Sequence, residues 1–273
     1  MPELPEVETI RRSLSQHILE RRIEEILIRW PGAVEGYEEK TFADAVRGLK
    51  FQSIERRGKY LLFTLEEGWS FIAHMRMTGR MVYHAQSQEP EKHTHVVLKL
   101  SSGEIHFTDT RKFGRLQLVR TEERLQQPSL ARLGPEPLEE GFSAAELGRR
   151  LAPRKLAIKA ALLDQTLVAG IGNIYADEAL FRAGIAPERC ANSLTKEEIE
   201  KLYPAICQVL EEGIAANGTS FRDYQDANGE RGDFQKELKV YGRGGEPCKE
   251  CGHTLVRIRL AGRSTVFCPC CQV

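Results

Sequence analysis

No stretch of the 273 residues is long and apolar enough to span a membrane, because charge interrupts every apolar run well short of the ~20 residues such a helix needs. No leader of basic, apolar and small residues precedes the first helical pattern, so the expectation is a cytoplasmic protein. Internal repeats and low-complexity tracts are absent. So is any excess of charge, with 39 Lys and Arg against 39 Asp and Glu. A polyanion could therefore be bound only through segregated charge. Cysteine is scarce except in one place. Cys190 and Cys207 stand alone, whereas five of the seven lie between Cys248 and Cys271. Without a secretory leader, such clustering favours metal over disulfides.

What is present suffices for two domains with a sizeable core. Charge is segregated into a basic knot at Arg56, Arg57 and Lys59, and a second at Arg111, Lys112 and Arg115. From Arg231 to Arg263, eight Lys and Arg face four Asp and Glu. Each group taken alone reads as a solvated face. From Ile23 to about Arg120 the segments EILIRW, YLLFTL, HVVLKL, EIHFTD and RLQLV read as strands, with Gly68 and Gly103 at turns. A helix with Val7, Ile10 and Leu14 on its buried stripe leads them, and Pro5 suits its first turn. LGPEPLEEG reads as a linker. Helices follow: Ser143 caps the first, Ile158, Ala161, Leu162 and Gln165 share a face of the second, and Thr195 with Glu198 boxes the third. Pro204 should kink or break that third helix. GTSFRDYQDANGERGDF reads as a mobile loop.

Two CxxC pairs, Cys248/Cys251 and Cys268/Cys271, can hold one structural zinc with four thiolates; Cys270 competes with Cys271 for the last position. Such a closed site is scaffold, and the hairpin it ties would present Arg263 at its tip, where an arginine can grip phosphate. AGIGNIYADE places two glycines before Asn173, a turn opening a helix whose N-terminal N–H groups attract an anion. A dinucleotide site fails for want of a third glycine and because LLDQTLV reads as helix where a strand is required. A plain helix cap accounts for Asn173 but not for the paired glycines. In HMRMTGR and DTRKFGR, Met77 and Phe113 read as core residues, with wedges into a duplex as the alternative. His93 and His95 fall on one strand face and read as partnered structural histidines.

Pro2 needs a separate account. Trimming of Met1 would leave a secondary amine with an unperturbed pKa of about 8, partly neutral in the cytosol and nucleophilic without further tuning. Attack on a sugar C1′ would give an iminium ion that cannot neutralise itself by losing a nitrogen proton. It therefore acts as an electron sink for phosphate elimination. Glu3 would shuttle protons beside it, and Lys59 would donate a proton or clamp phosphate. A plain helix start remains the simpler reading of these residues.

MPELPEVET, RRGKYLL, TRKFG, LGPEPL, DQTLVAGIGNIYADE and VYGR followed by the cysteines occur in this order along essentially the whole chain. Together they resemble the bacterial formamidopyrimidine-DNA glycosylases. The resemblance implies an α+β chain: a β-sandwich with a leading helix (1–133), a helix-two-turns-helix region with a lesion-capping loop (134–235) and a zinc ribbon (236–273). It also implies a monomer that excises oxidised purines from double-stranded DNA, acts at abasic sites and cuts by β,δ-elimination, nucleoid-associated when bound. By position Pro2 is then the nucleophile, Glu3 the acid, Lys59 a proton donor, and Arg263 the group for δ-elimination. Asn173, His93 and Arg154 contact DNA. Met77, Arg111 and Phe113 fill the void left by an everted base, which reverses the reading of Met77 and Phe113 as core. Thr78, CPCC and Ser264 depart from the usual pattern. An endonuclease VIII-like enzyme for oxidised pyrimidines and a non-catalytic damage-binding protein are the alternatives, and MPELPE disfavours the former.

Overall fold

The computed structural model describes residues 1–220 and 224–273, and no helix among them is long and apolar enough to cross a membrane. The capping loop expected after Gly218 includes residues 221–223, which lie outside the described residues. Two units make up the chain, one of residues 1–131 with 216–235 and the other of residues 132–215 with 236–273.

The first unit opens with α1 (Leu4–Ile18), which has Pro5 in its first turn and Glu3 at its N-cap. Leu4, Val7, Ile10, Leu14 and Ile18 recur every three or four residues and are buried, so hydrophobic burial fixes the helix on the sheets beneath it. Nine strands follow: β1 (Ile23–Ile28), β2 (Val34–Glu35), β3 (Phe51–Arg57), β4 (Tyr60–Leu65), β5 (Trp69–His74), β6 (Gly79–His84), β7 (Thr94–Leu100), β8 (Glu104–Asp109) and β9 (Arg115–Arg120). One sheet has the order β1-β7-β8-β6, the other β2-β9-β5-β4-β3. Short helices α2 (Glu39–Val46) and α3 (Pro128–Ala131) complete the unit. Both sheets contribute to one core. Ile26, Val96, Leu98 and Phe107 meet Phe51, Phe63, Phe71, Leu116 and Leu118, with Ile10, Leu14 and Phe42 in the same cluster. Each such side chain contributes about 1.5–3 kcal/mol on burial. Phe42 stacks on Phe71 with ring centroids 5.5 Å apart.

Among the described residues of the returning segment, 216–235, Gln225 and Ala227 are tied to this sandwich. Ala227, wholly buried, donates its N–H to Ser13 Oγ at 3.0 Å and accepts from the Tyr83 N–H at 2.8 Å. Arg80 Nη1 donates to Gln225 Oε1 at 2.7 Å.

The second unit contains α4 (Ala144–Leu151), α5 (Ile158–Leu163), α6 (Asn173–Ala183) and α7 (Lys196–Ala215), then a hairpin of β10 (Val256–Leu260) and β11 (Arg263–Phe267). Ser143 caps α4, and Thr195 with Glu198 forms the reciprocal box that opens α7. Three expectations change. α7 continues through Pro204 without interruption. The missing N–H and ring clash cost ~3 kcal/mol, but Leu202, Ala205, Ile206, Val209 and Leu210 are buried, and that burial outweighs the loss. α5 ends at Leu163, which places Gln165 and the DQTLV part of LLDQTLV outside the helix. The stretch read as a linker is tied down: Gly134 N–H donates to Gln165 O at 2.8 Å, and Ala169 N–H to Pro135 O at 2.9 Å.

His74, at the end of β5, is nearly buried and accepts the Arg76 N–H on Nδ1 at 2.8 Å, which requires the neutral ring. Burial first, then the Arg76 and Lys59 cations, push its pKa down to about 3. The unfolded chain takes up this proton near its ordinary value of 6.5, whereas the folded chain does not. This share of stability is therefore complete above 6.5 and is lost as pH falls toward 3, at up to about 1.4 kcal/mol per pH unit. Urea midpoints measured between about pH 4 and 7 are expected to flatten in His74→Asn, whose amide oxygen can replace Nδ1; an unaltered slope would refute this assignment.

Candidate functional site

Pro2 and Glu3 are buried at the head of α1. Glu6, 1% exposed, organises this end. Its Oε2 accepts from the Glu3 N–H at 2.8 Å and its Oε1 from the Thr219 N–H at 2.7 Å. Tyr224 Oη donates to the Glu6 carbonyl at 3.3 Å, and burial first, then the Glu6 charge, raise that phenol. Sequence treats Glu6 as one more acid in a first turn. In the structure it joins the start of α1 to both described flanks of the 221–223 segment. Lys59 is buried in the two-residue turn between β3 and β4, which also contains Gly58 at φ +56°. The basic knot around Lys59 is partly internal, since Arg56 Nε lies 3.4 Å from Glu8 Oε2.

A second cluster lies where two loops meet. Met77 and Phe113 are 42% and 46% exposed, which overturns the core reading made from the residues alone. Arg111 joins them, with Nη1 3.1 Å from Met77 Sδ and its guanidinium 4.9 Å from the centre of the Phe113 ring. Asp109 supports the group from below. At 1% exposure, it accepts from Arg111 N–H at 3.1 Å through Oδ1, and from Phe113 and Gly114 N–H at 2.7 and 2.6 Å through Oδ2. Thr78, the residue after Met77, also donates its hydroxyl to Oδ1. One carboxylate therefore ties both loops. Gly114 is needed here because a Cβ would lie 2.6 Å from the Phe107 ring. Sequence held the signal, an Asp opening DTRKFGR, without showing that its side chain turns back on the following backbone.

His93 and His95 do not share a strand face. β7 begins at Thr94; His95 is buried with Nε2 2.6 Å from Asp109 O, and His93 precedes the strand. His93 lines a depression of about 290 Å³ with Arg29, Trp30, Lys92 and Lys112, and its carbonyl accepts from Asp109 N–H at 3.0 Å.

In the second unit the turns between α5 and α6 are shaped by Gln165. Its Nε2 donates to Ile171 O at 2.8 Å, and its Oε1 accepts from Gly170 N–H at 3.0 Å. Gly170 has φ +89°, and Asn173 follows as the first residue of α6. Asn173 Nδ2 donates to Ser264 O at 3.0 Å, while its buried Oδ1 meets no hydrogen-bond donor among the described residues. Arg154 is engaged by Asp164 at 3.0 Å and Thr166 at 3.3 Å.

The Cys248, Cys251, Cys268 and Cys271 sulfurs all lie within 4.8 Å of one another, with Cys248 to Cys271 at 4.0 Å and Cys251 to Cys268 at 3.5 Å. Four thiolates at ~2.3 Å around a tetrahedral zinc stand roughly 3.8 Å apart, so this donor set fits one zinc ion. Cys270 is exposed and outside the group. The hairpin tip consists of Ala261 and Gly262, at φ +47° and +74°, the two-residue turn that matches strand twist. It leaves Arg263 exposed.

Three family models match: the formamidopyrimidine-DNA glycosylase N-terminal domain over residues 1–116, the H2TH domain of the same glycosylase over 133–225, and the zinc finger found in FPG and IleRS over 245–273. The formamidopyrimidine-DNA glycosylase of Heliobacterium modesticaldum is 50% identical over 276 residues, covering 100% of both chains. This chain belongs to the formamidopyrimidine-DNA glycosylase family. The enzyme of that name from Pelotomaculum thermopropionicum is 46% identical, over 100% of this chain and 99% of its own. Among solved structures, wild-type Lactococcus lactis Fpg with N7-benzyl-Fapy-dG containing DNA superposes at a TM-score of 0.93, with 39% identity over 99% of each chain. The Thermus thermophilus MutM (FPG) protein gives 0.90, with 44% identity over 99% of this chain and 98% of that one. The α+β architecture, the zinc finger and the assignment to DNA-repair glycosylases follow from these relationships.

Two outcomes test the geometry of this family member. Few buried apolar residues surround the zinc ligands, namely Phe181, Val240, Leu255 and Val266. A chelator is therefore expected to abolish amide protection from 245 to 273, and Cys251→Ser to lose the single bound zinc that Cys270→Ser keeps, as read by metal analysis. Asp109→Asn turns an amide NH₂ against backbone donors that now meet a carboxylate. Exchange at the Phe113 and Gly114 amides should accelerate, with a stability loss of about 1.5–3 kcal/mol.

Proposed function

We propose that this chain is a bifunctional DNA glycosylase and abasic-site lyase that removes oxidised purines, 8-oxoguanine opposite cytosine and formamidopyrimidines, from double-stranded DNA. The observation that carries the reading is Pro2. In a chain of this family, trimming of Met1 makes its ring nitrogen the terminal amine, at a helix head where Glu3 and Glu6 are buried.

The neutral nitrogen attacks C1′ and the C1′–base bond breaks, the base leaving with a proton. The attacking nitrogen gives up its own proton, and the C1′–O4′ bond then opens with a proton passed to O4′ through Glu3, which leaves an iminium ion. The iminium ion draws electrons from C2′. Loss of a C2′ proton expels the 3′ phosphate, and a second elimination expels the 5′ phosphate. Lys59 serves the first elimination as proton donor, and Arg263 holds phosphate and serves the second. Everting a nucleotide costs a few kcal/mol, and Met77, Arg111 and Phe113 repay part of it by filling the vacated space, with Arg111 toward the orphaned cytosine. Their joint exposure and their common support on Asp109 favour that role. Asn173 grips a backbone phosphate at the head of α6, and His93 and Arg154 are further DNA contacts. Zinc supplies no reacting group: with four thiolates it keeps no open position and serves to hold the finger.

Borohydride is expected to trap a covalent adduct with an abasic or 8-oxoguanine duplex, with the sugar on Pro2 by mass spectrometry. Pro2→Gly should trap poorly. An adduct on Lys59, or active protein that retains Met1, would overturn the mechanism. Faster excision of an oxidised pyrimidine than of 8-oxoguanine would point to an endonuclease VIII-like enzyme, and tight binding without cleavage to a damage-binding protein.

A further inference from the structure

We propose that Lys159 and Asp177 are positioning residues for Arg263, setting how efficiently the second elimination follows the first; this rests on the role of Arg263 proposed above. Lys159 projects from α5 and Asp177 from α6, each side chain only 1% exposed, with Nζ 2.7 Å from Oδ1. Both also bond to the three residues after Arg263. Lys159 Nζ donates to Ser264 O at 3.0 Å and Thr265 Oγ1 at 2.8 Å, and Asp177 Oδ2 accepts from Val266 N–H at 3.2 Å. Asn173 Nδ2 grips the same Ser264 carbonyl at 3.0 Å. The Ser264 carbonyl, one residue beyond Arg263, is thus held twice, and Thr265 and Val266 once each.

A two-stranded hairpin with a two-residue tip fixes only its own internal register, Leu260 opposite Arg263 and Arg259 opposite Ser264. Where that tip stands relative to α6, and so to Asn173, is settled by the attachments of β11. A buried ion pair is a costly way to obtain stability, since apolar residues of similar size commonly serve as well or better. Its distinct contribution here is direction: two charges and a hydroxyl define one position of β11, whereas an apolar contact would tolerate a shift. Misplacing a reacting group by about 1 Å can cost up to roughly a hundredfold in rate, so the loss should appear in the step that Arg263 serves.

The test uses zinc-loaded protein and an abasic duplex, with 3′-phosphate ends (both eliminations) counted against 3′-unsaturated-aldehyde ends (the first alone). Lys159→Met with Asp177→Asn removes both charges and avoids stranding one. The ratio of the two products is expected to fall roughly tenfold, with the rate of borohydride trapping at Pro2 and the zinc content unchanged. Thr265→Val, which deletes one hydroxyl and leaves the ion pair, should lower the ratio about threefold and covers the case in which the double variant does not fold. Arg263→Ala is the reference. If it loses the second elimination while the double variant or Thr265→Val keeps the wild-type ratio, the positioning role is refuted. If Arg263→Ala itself retains the second elimination, the reading of Arg263 fails first.

Discussion

Asp109, Glu6 and Glu178 face one physical problem: a loop that must present side chains outward still has backbone N–H groups facing the interior, and each one left unpaired costs 1–3 kcal/mol. All three meet it with a buried carboxylate. Asp109 collects the N–H groups of 111, 113 and 114, and Glu6 those of 3 and 219. Glu178, in α6, takes those of Lys239, Val240 and Tyr241 at 2.8–2.9 Å. Charge-assisted bonds of this kind are about twice as strong as neutral ones. They satisfy backbone donors of short irregular segments that no strand ladder reaches.

Apolar periodicity and cap chemistry were readable directly. The stripe from Val7 to Leu14, the box at Thr195 and Glu198 and the paired cysteines are local patterns whose physics lies within a few residues. The misreadings are of a different kind. Pro204 by its local cost predicts a kink or break, which distant packing overrides, and Gln165 lies beyond the end of α5, where its amide bonds the glycine turn. Met77 and Phe113 look like core residues because nothing in their own segments shows that Asp109 holds the loops open beneath them. Neither Asp109 nor Glu6 stood out in sequence, since a carboxylate bonded to backbone looks like any other acid. The pairing of Lys159 with Asp177 joins two helices and a strand and has no sequence signature.

The zinc ligands and the hairpin divide their tasks. The cysteine cluster closes the finger, but it lies at the far end of β11 from Arg263, separated by Ser264, Thr265, Val266 and Phe267. Order at the metal does not by itself reach the tip, which carries an alanine in the left-handed region at a cost of about 1–2 kcal/mol. The contacts of Ser264, Thr265 and Val266 with α5 and α6 bridge that gap.

The path of the chain has a consequence for its synthesis. Ala227 belongs to the same apolar cluster as Phe71 and Leu14, yet all of 132–215 is translated before it. While the ribosome makes those residues, the sandwich lacks its last segment, and Ser13 and the Tyr83 N–H lack the partners they have at Ala227. The first unit therefore cannot be finished before the second has been begun, and a cut at 131 would deprive it of part of its interior.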